Sequence, residues 1–443
     1  MKCCQKSGRS IDFLIVSTGT GNNIAMNGNE MITQELCKDL DMKDGEMREF
    51  QVQGQSILLV RNNGVFSAVG NKCSHYGAPL SKGVLVGDRV RCPWHGACFN
   101  VKNGDIEEFP GLDSLPCFKV KVENGSVCIV TSKMELESAK RVKSMSSRSA
   151  GDRSTVVMIG AGPAALVCAE TLRQEGYTGR IVLVTREKHI PYDRTKLSKA
   201  MNTKAVEIYL RPIEFYKEHD LEVWTEKQLL KERGVNFYMR TEAREIRGSD
   251  GQVKEVILRN GIQLPADVVV AGIGVTPVSN FLKGSRIAMD TKGAIYADQF
   301  MRTSVPDVYA AGDVVSFPLA MMDGHRANIG HWQMAHAHGR IAALNMLNKQ
   351  EPVNSVPFFW TSLLGKSIRY AGFGEGYTEI VMKGTLDELK FLAFYLKDDI
   401  VVAVSSMNYD PIVSQVAEVI FSGKQITKKE VLAEDFIDII AKL

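Results

Sequence analysis

The chain has 443 residues, enough for about three domains of ordinary size and for several cores that need no disulfide staples. Its 54 basic and 51 acidic side chains leave a net charge of +3, which gives no support for a nucleic-acid partner, and 44% hydrophobic with 24% charged residues is an ordinary globular composition. Nine cysteines, an odd number without the spacing of a secreted framework, point to a reducing compartment, and no apolar run approaches the roughly 18 residues of a membrane span.

Residues 1–32 read as a polar, disordered leader, whose first 29 residues carry Lys2, Lys6 and Arg9 against Asp12 alone. The leader has a faint likeness to a transit peptide, and Cys3 and Cys4 are candidates for palmitoylation, which leaves peripheral membrane association open. Residues 33–131 alternate short β-rich runs with turns such as Asn62-Asn63-Gly64 and Glu123-Asn124-Gly125, an all-β pattern. Residues 132–154 are basic and serine-rich without apolar periodicity, and read as a linker. From 155 to 351 the text changes to strand, glycine turn and helix, an α/β signature. Residues 352–443 form a last block that alternates strands, such as Leu392–Leu396 and Ile400–Ser405, with C-terminal helices. No internal repeat is present.

Within the β block, Cys73-Ser-His75 is followed by Cys92-Pro-Trp-His95. Two thiols and two imidazoles make four metal ligands. C-x-H is too tight for both side chains to wrap one metal easily, and suits ligands that serve different metals. A Rieske [2Fe–2S] centre has that arrangement, with two cysteines on one iron and two histidines on the other. Residues 33–131 resemble a Rieske ferredoxin. The rival readings are a zinc site, whose ligands are usually spaced otherwise, and four unrelated residues. High-potential Rieske proteins place a bracing cysteine in each loop, where this chain has Ala78 and Trp94, and hydroxyl donors after the second loop, where it has Ala97 and Phe99. Fewer donors stabilise the reduced cluster less, so a low potential is expected. Cys98 and Cys117 read as core thiols.

In the α/β block the apolar strand Val156–Ile159 runs into Gly160-Ala-Gly162-Pro-Ala-Ala165 and a helix. Gly160 permits the tight turn and Gly162 the approach of a pyrophosphate. Ala165 lets helix and strand pack closely, and the helix N-terminus offers free N–H groups. A second strand, Ile181–Val184, leads to Glu187, placed to bind ribose hydroxyls. Pro191-Tyr-Asp-Arg194-Thr-Lys-Leu-Ser-Lys199 and, much later, Ala310-Ala-Gly312-Asp313 complete a set that resembles pyridine-nucleotide-dependent flavoprotein reductases, most closely the Rieske-bearing branch of the apoptosis-inducing factor family. The resemblance covers about 33–443.

It implies a multi-domain protein: an all-β Rieske domain, a doubly wound but incomplete α/β FAD/NAD(P)-binding domain, and an α/β C-terminal domain of reductase dimerisation type, which would support a homodimer. It implies FAD held by Arg194 and Lys199, with Gly312 and Asp313 at the ribityl–pyrophosphate region. His331 and Trp332 would lie near the flavin, and Trp360 would approach it from the C-terminal domain. Trp360 reads equally as plain core. His336 and His338 read as helix polar residues rather than ligands. The family's acidic ribose contact falls at Arg186, with Glu187 one place on.

A second dinucleotide unit for NAD(P)H is expected in such a reductase, and the sequence reveals none. Gly272-Ile-Gly274 runs into Val275-Thr-Pro277, Gly372-Phe-Gly374 sits in a loop, and Gly19-Thr-Gly21 starts no helix. Residues 229–270 resemble the far side of an NAD domain joined directly, at Gln228–Leu229, to the early FAD domain. The chain reads as internally deleted by about a hundred residues. The implied activity is an oxidoreductase carrying electrons from NAD(P)H through FAD to a [2Fe–2S] cluster, with NAD(P)H in doubt. Its redox partner protein is unnamed, its role tied to apoptosis, and its location mitochondrial, with the cytoplasm as alternative. A non-enzymatic apoptosis-related protein that keeps a cluster, and a zinc scaffold, are the competing readings.

Overall fold

The computed structural model describes residues 31–185, 187, 189–197, 203–225, 243–249, 252–259, 261–265, 277–363 and 366–442. The first domain has strands β1 (Met31–Lys38), β2 (Glu46–Val52), β3 (Gln55–Asn62), β4 (Val65–Gly70), β5 (Val84–Val86), β6 (Arg89–Arg91), β7 (Cys98–Asn100), β8 (Ile106–Glu108), β9 (Cys117–Glu123) and β10 (Ser126–Ser132). They form a six-stranded antiparallel sheet, ordered β1-β10-β9-β4-β3-β2, and a four-stranded one, β5-β6-β7-β8. Both Asn-Gly turns close two-residue hairpins with Asn63, Gly64, Asn124 and Gly125 at positive φ, the left-handed geometry that matches strand twist. Strand β3 is buried on both faces. Leu58 and Val60 pack with Cys73 and Cys92, while Ile57 and Leu59 fill a second core, because successive side chains alternate across a sheet.

The basic segment that follows is docked rather than free. Ser132 and Glu135 cap a short helix, α1 (Lys133–Glu137), in a reciprocal box. Beyond it Arg141 pairs with Asp105, Lys143 lies 3.0 Å from Asp105, and the Ser146 hydroxyl donates to the Arg173 carbonyl of the next domain.

That domain opens with β11 (Thr155–Ile159), α2 (Pro163–Gln174), β12 (Arg180–Thr185), α3 (Ile213–Glu218) and β13 (Leu221–Thr225), whose strands form a three-stranded parallel sheet. Strands β14 (Ala243–Ser249), β15 (Gln252–Leu258) and β16 (Gln263–Pro265) make an antiparallel meander. Short strands β17 (Ile295–Tyr296), β18 (Val315–Pro318) and β19 (Arg326–Ala327) precede helix α4 (Trp332–Met346). Helices α2 and α4 meet so closely that a Cβ on Gly339 would lie 2.2 Å from the Ala164 carbonyl, so only glycine fits there.

The C-terminal domain is a five-stranded antiparallel sheet of β20 (Phe358–Leu363), β21 (Lys366–Gly372), β22 (Glu379–Thr385), β23 (Lys390–Lys397) and β24 (Ile400–Met407), in the order β20-β21-β24-β23-β22. Helices α5 (Ile412–Phe421), α6 (Lys428–Leu432) and α7 (Phe436–Lys442) cover it. Among the described residues no helix is long and apolar enough to cross a membrane. The expected multi-domain architecture stands: all-β domain, incomplete α/β dinucleotide domain and α/β C-terminal domain.

Candidate cofactor site between three domains

Two loops with the same backbone hydrogen-bond pattern carry the four candidate metal ligands. In the first, the Cys73 N–H donates to the Ala78 carbonyl (2.9 Å) and the Gly77 N–H to the Cys73 carbonyl (2.8 Å). In the second, the Cys92 N–H donates to the Ala97 carbonyl (2.8 Å) and the Gly96 N–H to the Cys92 carbonyl (3.2 Å). Gly77 and Gly96 turn both loops at positive φ, and a Cβ on Gly96 would strike the Phe358 ring at 2.6 Å. The loops bring the two cysteine side chains into a hydrogen bond and the His75 and His95 rings to 4.9 Å in a T-shaped contact. The bond to Cys92 and then burial push the Cys73 thiol well above its ordinary pKa. Burial drives the His75 pKa down to about 4, and its Nδ1 is buried without a hydrogen-bond partner. A buried unpaired imidazole nitrogen is costly unless a metal takes its lone pair. Among the described residues no three His, Cys, Asp or Glu side chains converge as one ion would need. Two cysteines and two histidines on a pair of matched loops are the donor set of a binuclear cluster.

The dinucleotide loop also fits its group. Gly160 has φ +116°, and a Cβ there or on Gly162 would meet nothing within 4 Å, which leaves an open cradle. Gly162 caps α2 with no side chain on the free N–H groups, and Ala165 sits half-buried in the first turn. Glu187 accepts from Arg194 Nη2 at 2.9 Å, and the Arg194 charge reaches Asp313. Asp313 is exposed as a residue, and partial desolvation of its carboxyl raises its pKa. Gly312, at φ +85°, donates its N–H to His338 Nδ1 at 3.3 Å. Arg186, Lys199, the Gln228–Leu229 junction and Gly272–Gly274 lie outside the described residues.

The aromatic residues join the two sites. The Trp360 ring on β20 lies 4.9 Å from His95, 5.9 Å from His75 and 5.2 Å from His331, the residue that caps α4. Trp360 is partly buried against the C-terminal core, so the core reading and the site reading both hold in part. His75, His95, Lys196, Trp332 and Trp360 line a shared cavity of about 540 Å³. His336 and His338, expected as polar helix residues, are both fully buried on α4. Each meets an aromatic ring edge-on, Phe109 and Phe317 respectively.

Sequence reasoning missed two buried ion-pair groups that seat the β domain. In one, Arg211 bonds Glu170 on α2 (2.8 Å) and Asp113 (2.6 Å). In the other, Arg91 bonds Glu108 and Glu418 on α5, each at 2.5 Å. Burial works against the Arg91 cation, but the two carboxylates outweigh it and raise its pKa. The sole signal in the text is charged residues inside apolar runs.

Three family models match the chain in turn: the Rieske [2Fe–2S] domain over 33–119, pyridine nucleotide-disulphide oxidoreductase over 154–217 and 208–339, and the reductase C-terminal domain over 358–438. The human protein named apoptosis-inducing factor 3 is 41% identical over 520 residues, taking in 91% of this chain and 86% of that protein. The chain belongs to the apoptosis-inducing factor 3 family. The mouse protein of that name is 40% identical over the same span. The biphenyl dioxygenase system ferredoxin–NAD(+) reductase component of Paraburkholderia xenovorans is 34% identical over 166 residues, 38% of this chain and 39% of that one. Among solved structures, a ferredoxin reductase from Rhodopseudomonas palustris shares the fold at TM-score 0.56 and 20% identity, over 64% of this chain and 98% of that one.

This family member is therefore an FAD-dependent oxidoreductase of ferredoxin-reductase type, with a Rieske [2Fe–2S] domain in front. Its match to the human relative also carries a gap. Since 91% of 443 residues falls well short of 520, more than a hundred of those positions face no residue of this chain. The oxidoreductase model is matched in two pieces that meet at 208–217, just ahead of the Gln228–Leu229 junction.

Proposed function

We propose that the chain is a one-chain Rieske–flavoprotein oxidoreductase in which electrons reach a cluster on Cys73, His75, Cys92 and His95 from FAD across Trp360. The observation that carries this reading is the Trp360 ring, within 6 Å of both candidate ligand histidines and of His331 on the flavin side. Bound FAD supplies the change from two-electron to one-electron chemistry, and the cluster supplies one-electron storage. Gly160 and Gly162 leave room for the pyrophosphate, and the start of α2 offers it N–H groups. Glu187, steadied by Arg194, would contact the ribose, while Arg194, Lys199, Gly312 and Asp313 would hold the rest of the dinucleotide. His331, Trp332 and Trp360 would shield a bound flavin ring from water and supply the aromatic surface next to the candidate ligand loops. Burial holds His336, the α4 histidine that lines the cavity, in its neutral form.

The missing stretch bears on the first step. Hydride transfer needs the nicotinamide held against the flavin ring, and the family's second dinucleotide unit provides that hold. We read this chain as internally deleted there, so its NAD(P)H oxidation is weak or absent. The same gap favours a second reading, a cluster-bearing, apoptosis-related interaction protein. The relatives' name supports a link to apoptosis, and family likeness supports a mitochondrial location. Two arms test the main reading on purified chain that shows both flavin and Rieske bands. After photoreduction of the flavin, Trp360→Leu should slow the appearance of reduced cluster while leaving both spectra intact. An unchanged rate sinks the path across Trp360, and absence of flavin bands in the wild type favours the second reading.

A further inference from the structure

The second ligand loop is held from outside the β domain. Three of its carbonyls, at residues 92, 94 and 96, each accept from a side chain. Ser414 Oγ on α5 donates to the Cys92 carbonyl (3.1 Å), Arg369 Nε on β21 to the Trp94 carbonyl (2.8 Å), and Arg91 Nη1 to the Gly96 carbonyl (2.9 Å). Two of the three donors belong to the C-terminal domain, and the Phe358 ring of that domain fills the space over Gly96.

One helical turn beyond Ser414 stands Glu418, 4% exposed. Its Oε1 takes the Arg91 Nε at 2.5 Å and lies 3.9 Å from the Cys98 sulfur. Arg89 comes within 3.7 Å of Glu418 and 3.8 Å of Glu108, its guanidinium resting on the Phe421 ring. The group sets Arg89 and the fully buried Arg91 against Glu108 and Glu418, with Glu107 bonded to Arg89 at 2.9 Å on its more exposed edge, and Arg91 is the residue next to Cys92. With so little water around Arg91, each charge acts strongly on its neighbours. Outer partners of this kind orient metal ligands and tune redox potential.

We propose that Ser414 and Glu418 are positioning residues for the cluster: the C-terminal helix fixes the second ligand loop, and the Glu418 carboxylate offsets the adjacent arginines and so holds the reduction potential down. This rests on Cys73, His75, Cys92 and His95 being the ligands. Reduction adds one electron to the cluster and makes no bond at Glu418. Its negative charge opposes the incoming electron, and its neutral isostere does not.

The test is a dithionite titration, followed by electron paramagnetic resonance, of full-length wild type, Glu418→Gln, Ser414→Ala and Arg89→Gln. Glu418→Gln should keep the Rieske signal and move the midpoint positive. Ser414→Ala should move it less and alter the line shape, and Arg89→Gln should move it negative. An intact signal with an unmoved midpoint in Glu418→Gln overturns the proposal. If that variant fails to hold a cluster, an unmoved or positive midpoint in Arg89→Gln overturns it instead. A wild type that carries zinc and gives no Rieske signal refutes the ligand assignment, a different failure from either.

Discussion

The Rieske domain and the flavin domain are built on different length scales. All four candidate cluster ligands lie between Cys73 and His95, in two copies of one loop hung on short hairpins. The dinucleotide site draws on segments from Gly160 to Trp360 and uses a parallel sheet of three strands. A site made from neighbouring loops survives the loss of chain elsewhere. A site assembled from remote segments loses whatever function a missing segment held, which in the proposed reading is the seat for nicotinamide.

The sharpest way to break this comparison is to remove a ligand. Cys92→Ser should abolish the Rieske bands and resonance signal completely while the flavin bands stay, and loss of both together would show that the two sites are not separable. Next in size is the nicotinamide step. Anaerobic NADH should bleach the flavin of this chain at least ~100-fold more slowly than that of a relative retaining the missing positions, because positioning supplies much of the rate. Equal rates would mean that another segment seats the nicotinamide.

The interface between the two domains gives a smaller effect. Arg211→Met leaves Glu170 buried without its cation and leaves Asp113 with Lys140 alone, 2.8 Å away. Removing one partner of such a group costs about 3–5 kcal/mol. The loss should appear as faster amide exchange along α2 and residues 110–115, with the cluster signal kept.

The smallest concerns pH. Burial lowers the His338 pKa to about 4 in the folded chain, below the roughly 6.5 of the unfolded one. Between those values the unfolded state binds the extra proton. Stability therefore falls as pH drops from about 6.5 and has lost up to about 3 kcal/mol by pH 4. His338→Leu should flatten that limb of the stability curve, and a slope equal to that of wild type would show that other groups set it.

Much of the architecture was legible because its signals are local. Asn-Gly between β-rich runs demanded left-handed turns, and Asn63, Gly64, Asn124 and Gly125 adopt them. Gly160 and Gly162 between an apolar strand and a helical run announced a cradle, and their space is open. The basic stretch after β10 was less legible. Its lack of periodicity suggested a free linker, yet its arginine, lysine and serine side chains reach acidic and carbonyl partners on both domains. His336 and His338 were misleading for the same reason, since their burial comes from the contact of α4 with other elements and not from their own helix.

By itself the sequence determined the order of the modules, the ligand types and their spacing, and the shape of each loop, since these depend on residues a few positions apart. Only the tertiary structure decided what surrounds the ligand loops. Trp360 reaches the two histidines, Glu418 reaches Arg91 across 327 positions, and Asp113 reaches Arg211 across 98. No periodicity or turn rule links such residues. They meet because three domains bury their contact faces together, and a charge enclosed there is stable only opposite its partner.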